Sequence, residues 1–368
     1  MATCLKQPAH VDKEPVAIVG AGLVGGGWAI VFARAGHPVR IFDAAPHAAT
    51  RAVETIRGNV ADLAAAGLLD EPAESVIARI SIADDMAGAV RGAAYVQESV
   101  LERLDVKRAV FAEIDVVLPG DACVGSSSSG IPASAYTDHV GCRDRCLVAH
   151  PINPPYLAPV VELVPAPWTS AATMSRVRDL MEGVGQAPVT LTREIEGFVL
   201  NRLQGVLLME AWRLVEAGVA TAADVDLTIA KGLGLRWSFM GPFETIDLNA
   251  PAGVADYAGR FGPLHQRIAA ETAEHRVWEG ELVDRVAAER RAALPAEDLD
   301  ARRRWRDRRL MALVAHQRAV ARAEAGADHP AITPAARSRR QSSYWPNSCR
   351  QTTPAAAMAG VPPSPPTL

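Results

Sequence analysis

The sequence predicts an α/β fold in which an N-terminal, mostly parallel sheet with helices on both faces is followed by an all-α C-terminal domain. Three observations predict it. Residues 16–43 read as a strand, a glycine turn, a helix and a second strand. Short β-prone runs then alternate with helical stretches as far as residue 191, the pattern of a parallel sheet. Beyond about residue 195 strand signals stop while helical periodicity continues. With 368 residues, the chain exceeds one typical core. The reading divides it into an extension over 1–14, a sheet domain over 15–195, a helical domain over 196–328 and a tail over 329–368.

The first unit is the most specific. Residues 16–19 are a short apolar run, Gly20-Ala21-Gly22-Leu23-Val24-Gly25 supplies GxGxxG, and residues 28–35 continue as an apolar helix that Gly36 ends. Residues 39–42 rise as the second strand and stop at Asp43. In a Rossmann-type unit Gly20 permits the tight turn, Gly22 lets the backbone approach a pyrophosphate, and Gly25 lets the helix pack closely on the sheet. The free N–H groups at the helix N-terminus, around Leu23 and Val24, favour an anion. A carboxylate at the tip of the second strand accepts ribose hydroxyls and repels a 2′-phosphate. Ala44 and Ala45 follow Asp43 with no Arg or Lys beside it, so the expected cofactor is NAD rather than NADP. The plainer alternative is a glycine-rich turn that binds nothing.

Composition excludes several classes. A hydrophobic share of 49%, with 22% charged residues, is ordinary for a globular enzyme. A formal net charge of -4 gives no global attraction to nucleic acid or to an anionic membrane, so neither is an expected partner. Five glycines among residues 20–27 argue against a membrane span, and the polar residues 1–15 lack a secretory apolar core. The expected location is the cytoplasm. The five cysteines are odd in number and unevenly spread, which suits reduced thiols. Cys142 and Cys146 have no second pair at metal spacing, so no metal site is expected.

After Asp43, residues 45–66, 71–78, 84–91 and 105–115 read as helices, and residues 80–82, 94–97, 122–125 and 146–149 as strands. Residues 160–164 and 187–191 read as closing strands. From residue 198 to 216, apolar side chains recur at helical spacing on more than one exposed face can hold, so a buried helix is expected there. Residues 222–231, 253–261, 281–291 and 298–323 are further helices. The run RRRWRDRR at 302–309 is preceded and interrupted by acids, so a solvated, salt-bridged helix face accounts for it. The tail is rich in Pro, Ser, Arg and Ala, without periodicity, and reads as disordered.

A second constellation suits oxidation of an alcohol: Ser129 in GSSSSG, His150, Asn153 and Glu162 in one segment, and Asn201 in EGFVLNRL. Hydride transfer from carbon requires the hydroxyl on that carbon to lose its proton, and a histidine titrates in the right range to take it. His150 is the candidate base. A carboxylate on its other ring nitrogen fixes the tautomer and stabilises the imidazolium, and Glu162 is the candidate. Ser129 and Asn201 are candidates to hold the substrate oxygen. Singly each has a plainer reading: a structural histidine before proline, a solvated serine turn, an asparagine bonded to backbone.

Taken jointly, these segments resemble the 3-hydroxyacyl-CoA dehydrogenase superfamily, and within it the lambda-crystallin branch, whose enzymatic identity is L-gulonate 3-dehydrogenase. The resemblance spans residues 16–323 and rests on IVGAGLVG with Asp43, SVLERLDVK, the serine run, AHPINPPYLAPVVELVP, GFVLNRLQ with EAWRLVEAG, LGLRWSFMGPFETIDLNA and ARRRWRD. It implies His150 as base, Glu162 as its partner, Ser129 and Asn201 on the substrate oxygen, and Asn153 and Ser127 near the nicotinamide. It places Glu102 and Lys107 on the nicotinamide-ribose side. Where the superfamily shows SxTS, this chain has four serines, and Ser129 is assigned by its spacing to His150. The resemblance also implies a homodimer through the helical domain.

The substrate remains a choice between an acyl-CoA and a small free acid. The stretch RAVETIRGNVADLAAAGLLDEPAE, where acyl-CoA enzymes carry lysines, is nearly free of lysine and arginine. Arg236, before Trp237, Met240 and Gly241, suits two-pronged binding of a carboxylate. The expected substrate is therefore a small L-3-hydroxy acid of the L-gulonate kind, with an L-3-hydroxyacyl-CoA as the alternative. An internal salt bridge of Arg236 with Glu244 or Asp247 is the plainer reading of that residue. L-carnitine stays open because Trp237, Phe239 and Tyr257 suit a quaternary ammonium. A non-catalytic NAD-binding crystallin or sensor is the reading from another class; it has no use for a base beside the nicotinamide.

Overall fold

The computed structural model describes residues 13–271 and 278–326. The 329–368 tail and all but Lys13 and Glu14 of the 1–14 extension fall outside them. Eight strands, β1 (Val16–Val19), β2 (Val39–Phe42), β3 (Ile80–Ile82), β4 (Tyr95–Glu98), β5 (Cys123–Ser126), β6 (Cys146–Pro151), β7 (Val160–Pro165) and β8 (Ala187–Thr190), form one sheet. Their order is β3-β2-β1-β4-β5-β6-β7-β8. Every pairing is parallel except β6 with β7. Chain direction across the sheet reverses between β1 and β4, the switch point beside which open α/β sheets bind ligands.

The helices of this domain are α1 (Leu23–Arg34), α2 (Ala48–Ala65), α3 (Ala73–Ala78), α4 (Met86–Val90), α5 (Leu104–Val117), α6 (Ser134–Thr137) and α7 (Ala171–Gly183). They cover both faces, so strand residues of both parities are buried. Val16 and Ile18 of β1 join Trp28, Phe32, Ile56 and Val177 in one cluster. Ala17 and Val19 join Phe111, Ile114 and Tyr136 in the other. The helix α7 is absent from the sequence expectations although Met174, Val177, Leu180 and Met181 recur at helical spacing and pack on the first cluster. Its second mark is the cap, where Ser170 Oγ accepts the Thr173 N–H at 3.1 Å.

The helical part comprises α8 (Leu200–Glu216), α9 (Ala222–Thr228), a π-turn at Ile229–Leu233, α10 (Gly234–Trp237), α11 (Pro242–Leu248), α12 (Gly253–Glu271), α13 (Gly280–Ala293) and α14 (Leu299–Gly326). Two expectations are corrected here. The helix α8 is not buried within this chain: Leu203 is 63% and Val206 71% exposed, and Val215 is its one buried residue. Its apolar stripe is real, but the described residues cover it only toward its C-terminal end, where Ala211, Trp212 and Leu214 are half-buried. The other correction concerns α14, which does not belong to the helical layer alone. Met311, only 3% exposed, packs into the α1 face of the sheet domain, with Leu310, Val314 and Ala315 beside it. Residues up to Gln317 form one compact unit, and from Arg318 onward the described residues are the last turns of α14. The arginine run has the pairing expected of a solvated face: Arg303 with Asp300, Arg306 with Asp307 at 2.7 Å, and the Arg302 guanidinium 3.6 Å over the Trp305 ring.

The glycine turn separates two kinds of glycine. Gly20 has φ +101, and a Cβ at Gly25 would lie 1.9 Å from the Gly20 carbonyl oxygen, whereas one at Gly22 would meet nothing within 4 Å. Gly25→Ala is therefore expected to cost on the order of 1–3 kcal/mol of stability as well as cofactor affinity. Gly22→Ala is expected to weaken NAD binding while leaving the melting temperature near wild type. Thermal melts and NAD titrations of both variants check this, and an equal loss of melting temperature in the two would refute the distinction.

Candidate active site

The cofactor cleft lies beside the glycine turn. A cavity of ≈ 520 Å³ is lined by Ala21, Gly22, Leu23, Asp43 and Leu101 on one side and by α2 on the other. No side chain caps α1 at Gly22, and its first turn holds no acid, which leaves that N-terminus to an anion. Asp43 is held in place by two backbone donors, Ala21 N–H to Oδ2 at 2.7 Å and Ala45 N–H to Oδ1 at 2.8 Å. These features fit a dinucleotide: an open approach at Gly22, an uncapped helix end and a fixed acid. Arg51, one turn into α2, also lines the cleft. It lies eight residues beyond Asp43 in the chain, so only the fold of α2 over the cleft brings the two to one cavity.

The candidate base is built by strand register. In the antiparallel pair β6–β7, His150 lies directly opposite Glu162, and His150 Nδ1 is 2.8 Å from Glu162 Oε2. Both side chains are buried, 6% and 2% exposed. The other oxygen, Oε1, accepts the N–H groups of Val199 at 2.7 Å and Leu200 at 2.9 Å, at the start of α8. Burial alone would raise the Glu162 carboxyl; the His150 hydrogen bond and the two backbone donors together hold it below its ordinary value. An ionised carboxylate only accepts, so Nδ1 carries the proton and Nε2 presents a lone pair. Phe198, fully buried with φ 50, sets its ring 5.7 Å from the imidazole.

The serine run alternates as an extended chain does: Ser126 and Ser128 are buried, Ser127 is half-buried and Ser129 is exposed. One carboxylate gathers the turn. Glu102 Oε1 accepts from Ser128 Oγ at 2.7 Å and from the N–H groups of Ser129 at 2.9 Å, Gly130 at 3.0 Å and Ile131 at 3.3 Å. Burial opposes its charge, but Ser128, the Lys107 ammonium and the backbone donors outweigh that and lower its pKa. Asn201 Nδ2 donates to the Ser129 carbonyl at 2.6 Å, so α8 and the serine turn meet at the residues expected to share the substrate oxygen.

Lys107 lies against the same turn. Its side chain is 1% exposed, with Nζ 3.1 and 3.0 Å from the two Glu98 oxygens and 3.3 Å from Glu102 Oε2. Two carboxylates hold it there. Ser127 is likewise occupied: its hydroxyl is taken up by Trp28, Gln97 and Ser99. Asn153, just beyond β6, is exposed. Arg236, in α10, is exposed, and its guanidinium has no ion pair among the described residues, with Glu244 and Asp247 included. The salt-bridge alternative for that residue is therefore not what the structure contains.

A switch-point cleft with a fixed acid at one end and an acid-paired histidine at the carboxyl end of β6 defines an NAD-dependent dehydrogenase. Residues 15–195 match the family model described as 3-hydroxyacyl-CoA dehydrogenase, NAD binding domain, and residues 197–291 the corresponding C-terminal domain. The chain belongs to the 3-hydroxyacyl-CoA dehydrogenase family, in its lambda-crystallin branch. It is 44% identical to a lambda-crystallin homolog of Bos taurus over 84% of this chain and 97% of that one. It is 38% identical to an L-carnitine dehydrogenase of Streptomyces coelicolor over 70% of this chain and 80% of the other. Among solved structures it resembles the NAD+-dependent 5-formyl-3-hydroxy-2-methylpyridine 4-carboxylic acid 5-dehydrogenase, with TM-score 0.70 and 29% identity, covering 82% and 97% of the two chains. It also resembles Escherichia coli 3-hydroxybutyryl-CoA dehydrogenase, with TM-score 0.57 and 30% identity, over 69% and 53%. The chain is thus an NAD-dependent oxidoreductase of hydroxy acids. Helix α14 begins beyond the C-terminal family match.

The lowered carboxyl of Glu162 makes stability depend on pH. Folding favours its ionised form, so the contribution is present above the ordinary value of 4.5 and lost as pH falls through the lowered folded value. Glu162→Gln removes that dependence. The gap in unfolding free energy between wild type and Glu162→Gln is expected to be widest at neutral pH and to narrow below 4.5. Urea unfolding at the two pH values measures it; a constant gap would show that the charge contributes nothing.

Proposed function

We propose that the protein oxidises the 3-hydroxyl of a small, free L-3-hydroxy acid of the L-gulonate kind to the 3-keto acid. The observation that supports this most is the buried His150–Glu162 pair at 2.8 Å beside an NAD cleft. The bound NAD supplies the hydride acceptor. His150 Nε2, its lone pair directed by the protonated Nδ1, takes the proton of the substrate hydroxyl. Glu162 stabilises the imidazolium that results, and the α8 N-terminus shares the carboxylate's charge. Ser129 and Asn201 hold the substrate oxygen, and the Phe198 ring limits water around the base. Asn153 and Glu102 border the nicotinamide half. Arg236, exposed and unpaired among the described residues, anchors the substrate carboxylate.

The lack of lysines along α2 and α3 supports a free acid over an acyl-CoA, since those helices offer little charge for CoA phosphates. L-carnitine is a second reading: carnitine dehydrogenases stand among the relatives at 38% identity, and Trp237 and Phe239, 39% and 70% exposed, offer aromatic faces. The non-catalytic reading has no need of the His150–Glu162 pair. Initial rates with L-gulonate, L-3-hydroxybutyrate, L-carnitine and 3-hydroxybutyryl-CoA test the assignment. The free acid is expected to be preferred, and His150→Ala to lower kcat about 10²–10⁴-fold. Arg236→Ala is expected to raise KM for the acid about tenfold or more, the worth of a charge-assisted pair, with kcat little changed. A preference for the thioester would refute the free-acid assignment, and an unchanged KM would refute the anchoring role of Arg236.

No helix among the described residues is long and apolar enough to cross a membrane. The buried free thiols Cys123, Cys142 and Cys146 suit a reducing compartment, which supports the cytoplasm. We also propose a homodimer through the helical part. Leu203 and Val206 of α8, Phe243 of α11 and Phe261 of α12 are 63%, 71%, 78% and 41% exposed, more apolar surface than a monomer keeps in water. Sedimentation velocity is expected to show a dimer that Val206→Glu dissociates; a wild-type monomer at micromolar concentration would exclude it.

A further inference from the structure

Between Asp43 and His150 lie the tips of β1, β4 and β5, and under them runs a chain of hydrogen bonds whose direction is dictated by chemistry. The Ala149 carbonyl only accepts, so the Gln97 atom 3.4 Å from it is the amide nitrogen. Gln97 Oε1 then accepts from the buried Tyr95 hydroxyl at 2.6 Å. Gln97 Nε2 donates to Ser127 Oγ at 2.8 Å, and the Trp28 indole, a donor only, donates to the same oxygen at 3.2 Å. A hydroxyl oxygen has two acceptor positions, and both are now filled. The single proton of Ser127 therefore goes to its remaining neighbour, Ser99 Oγ, 2.8 Å away. Ser99 accepts that bond and keeps its own proton, for which no other partner exists among the described residues.

The place of Ser99 says what that proton faces. Ser99 follows β4, its N–H donates to the Val19 carbonyl at 2.7 Å, and its own carbonyl lies 2.5 Å from where a Cβ on Gly20 would stand. Leu101, two residues on, lines the cofactor cleft. β4 adjoins β1 on the side away from β2 and Asp43. A dinucleotide with its adenosine ribose on Asp43 and its pyrophosphate on the glycine turn would continue over β4 toward His150. Its nicotinamide half would then pass Ser99, which is half-buried.

We infer that Ser99, rather than Ser127, is the hydroxyl this cluster presents to NAD, donating to an acceptor atom on the nicotinamide half. Trp28 and Gln97 are positioning residues: by saturating Ser127 they prevent Ser99 from turning its proton inward. The family resemblance implies Ser127 near the nicotinamide; the bonds it already makes leave it nothing to donate.

Equilibrium titration of the full-length protein tests this without turnover, using NADH and, as the probe lacking the nicotinamide half, ADP. Ser99→Ala is expected to raise the Kd for NADH about threefold to tenfold, the worth of one neutral hydrogen bond, and to leave that for ADP unchanged. Trp28→Phe frees a lone pair on Ser127 and lets Ser99 donate backward, so it is expected to weaken NADH in the same direction, with no further loss in the double variant. Wild-type NADH affinity in Ser99→Ala, or equal weakening of NADH and ADP, overturns the inference. Additive losses in the double variant overturn the positioning role of Trp28. Unchanged ADP binding also certifies that each variant is folded.

Discussion

The carboxylate of Glu162 is the constraint on which the active site depends. One oxygen holds His150 and the other accepts the Val199 and Leu200 N–H groups, so a single buried charge orients the imidazole and fixes where α8 begins. The sheet carries the cofactor cleft and the helical part carries Asn201, and this charge joins them. An isolated buried carboxylate would be strongly disfavoured; three donors make it tolerable and also lower its pKa. The same arrangement leaves the α8 N-terminus without a side-chain cap of its own, because Glu162 supplies that function from β7.

A second acid repeats the principle across the site. Glu102 draws the Ser128 hydroxyl and three successive N–H groups into one turn, and Lys107 offsets its charge from behind. The substrate side is thus shaped by two anions, each neutralised by backbone donors and one cationic or proton-bearing partner. Water is excluded from the first and admitted to the second, whose side chain is 41% exposed.

How much was legible in the sequence depended on the range of the cause. GxGxxG and Asp43 act within one βαβ unit, so spacing alone located them. The pairing of His150 with Glu162 was anticipated from chemistry and resemblance, but the reason for it, a direct antiparallel register, needed the sheet. The burial of Lys107 was not legible, because it depends on Glu98, a residue with no motif of its own. Ser99 and Arg51 were passed over for a similar reason: each gains its meaning from neighbours brought in by folding. The helix α8 was read as buried because its apolar pattern is genuine; pattern shows that a surface needs covering and not which chain covers it. The helix α7 was legible from two local signals, the Ser170 cap and the spacing of Met174, Val177 and Met181.

The antiparallel β6–β7 pair makes strand register the determinant of the distance between His150 and Glu162. The connection between the two strands is anchored: Tyr156 and Leu157 are buried in the core, and the Tyr156 carbonyl accepts from Arg34 at 2.9 Å. A slip of one residue along either strand turns one partner to the opposite face of the sheet, and in a hairpin the length of the connection helps to fix that register. An insertion or deletion there would therefore disturb the buried pair together with the rim that carries Asn153, so the two are bound to change in step.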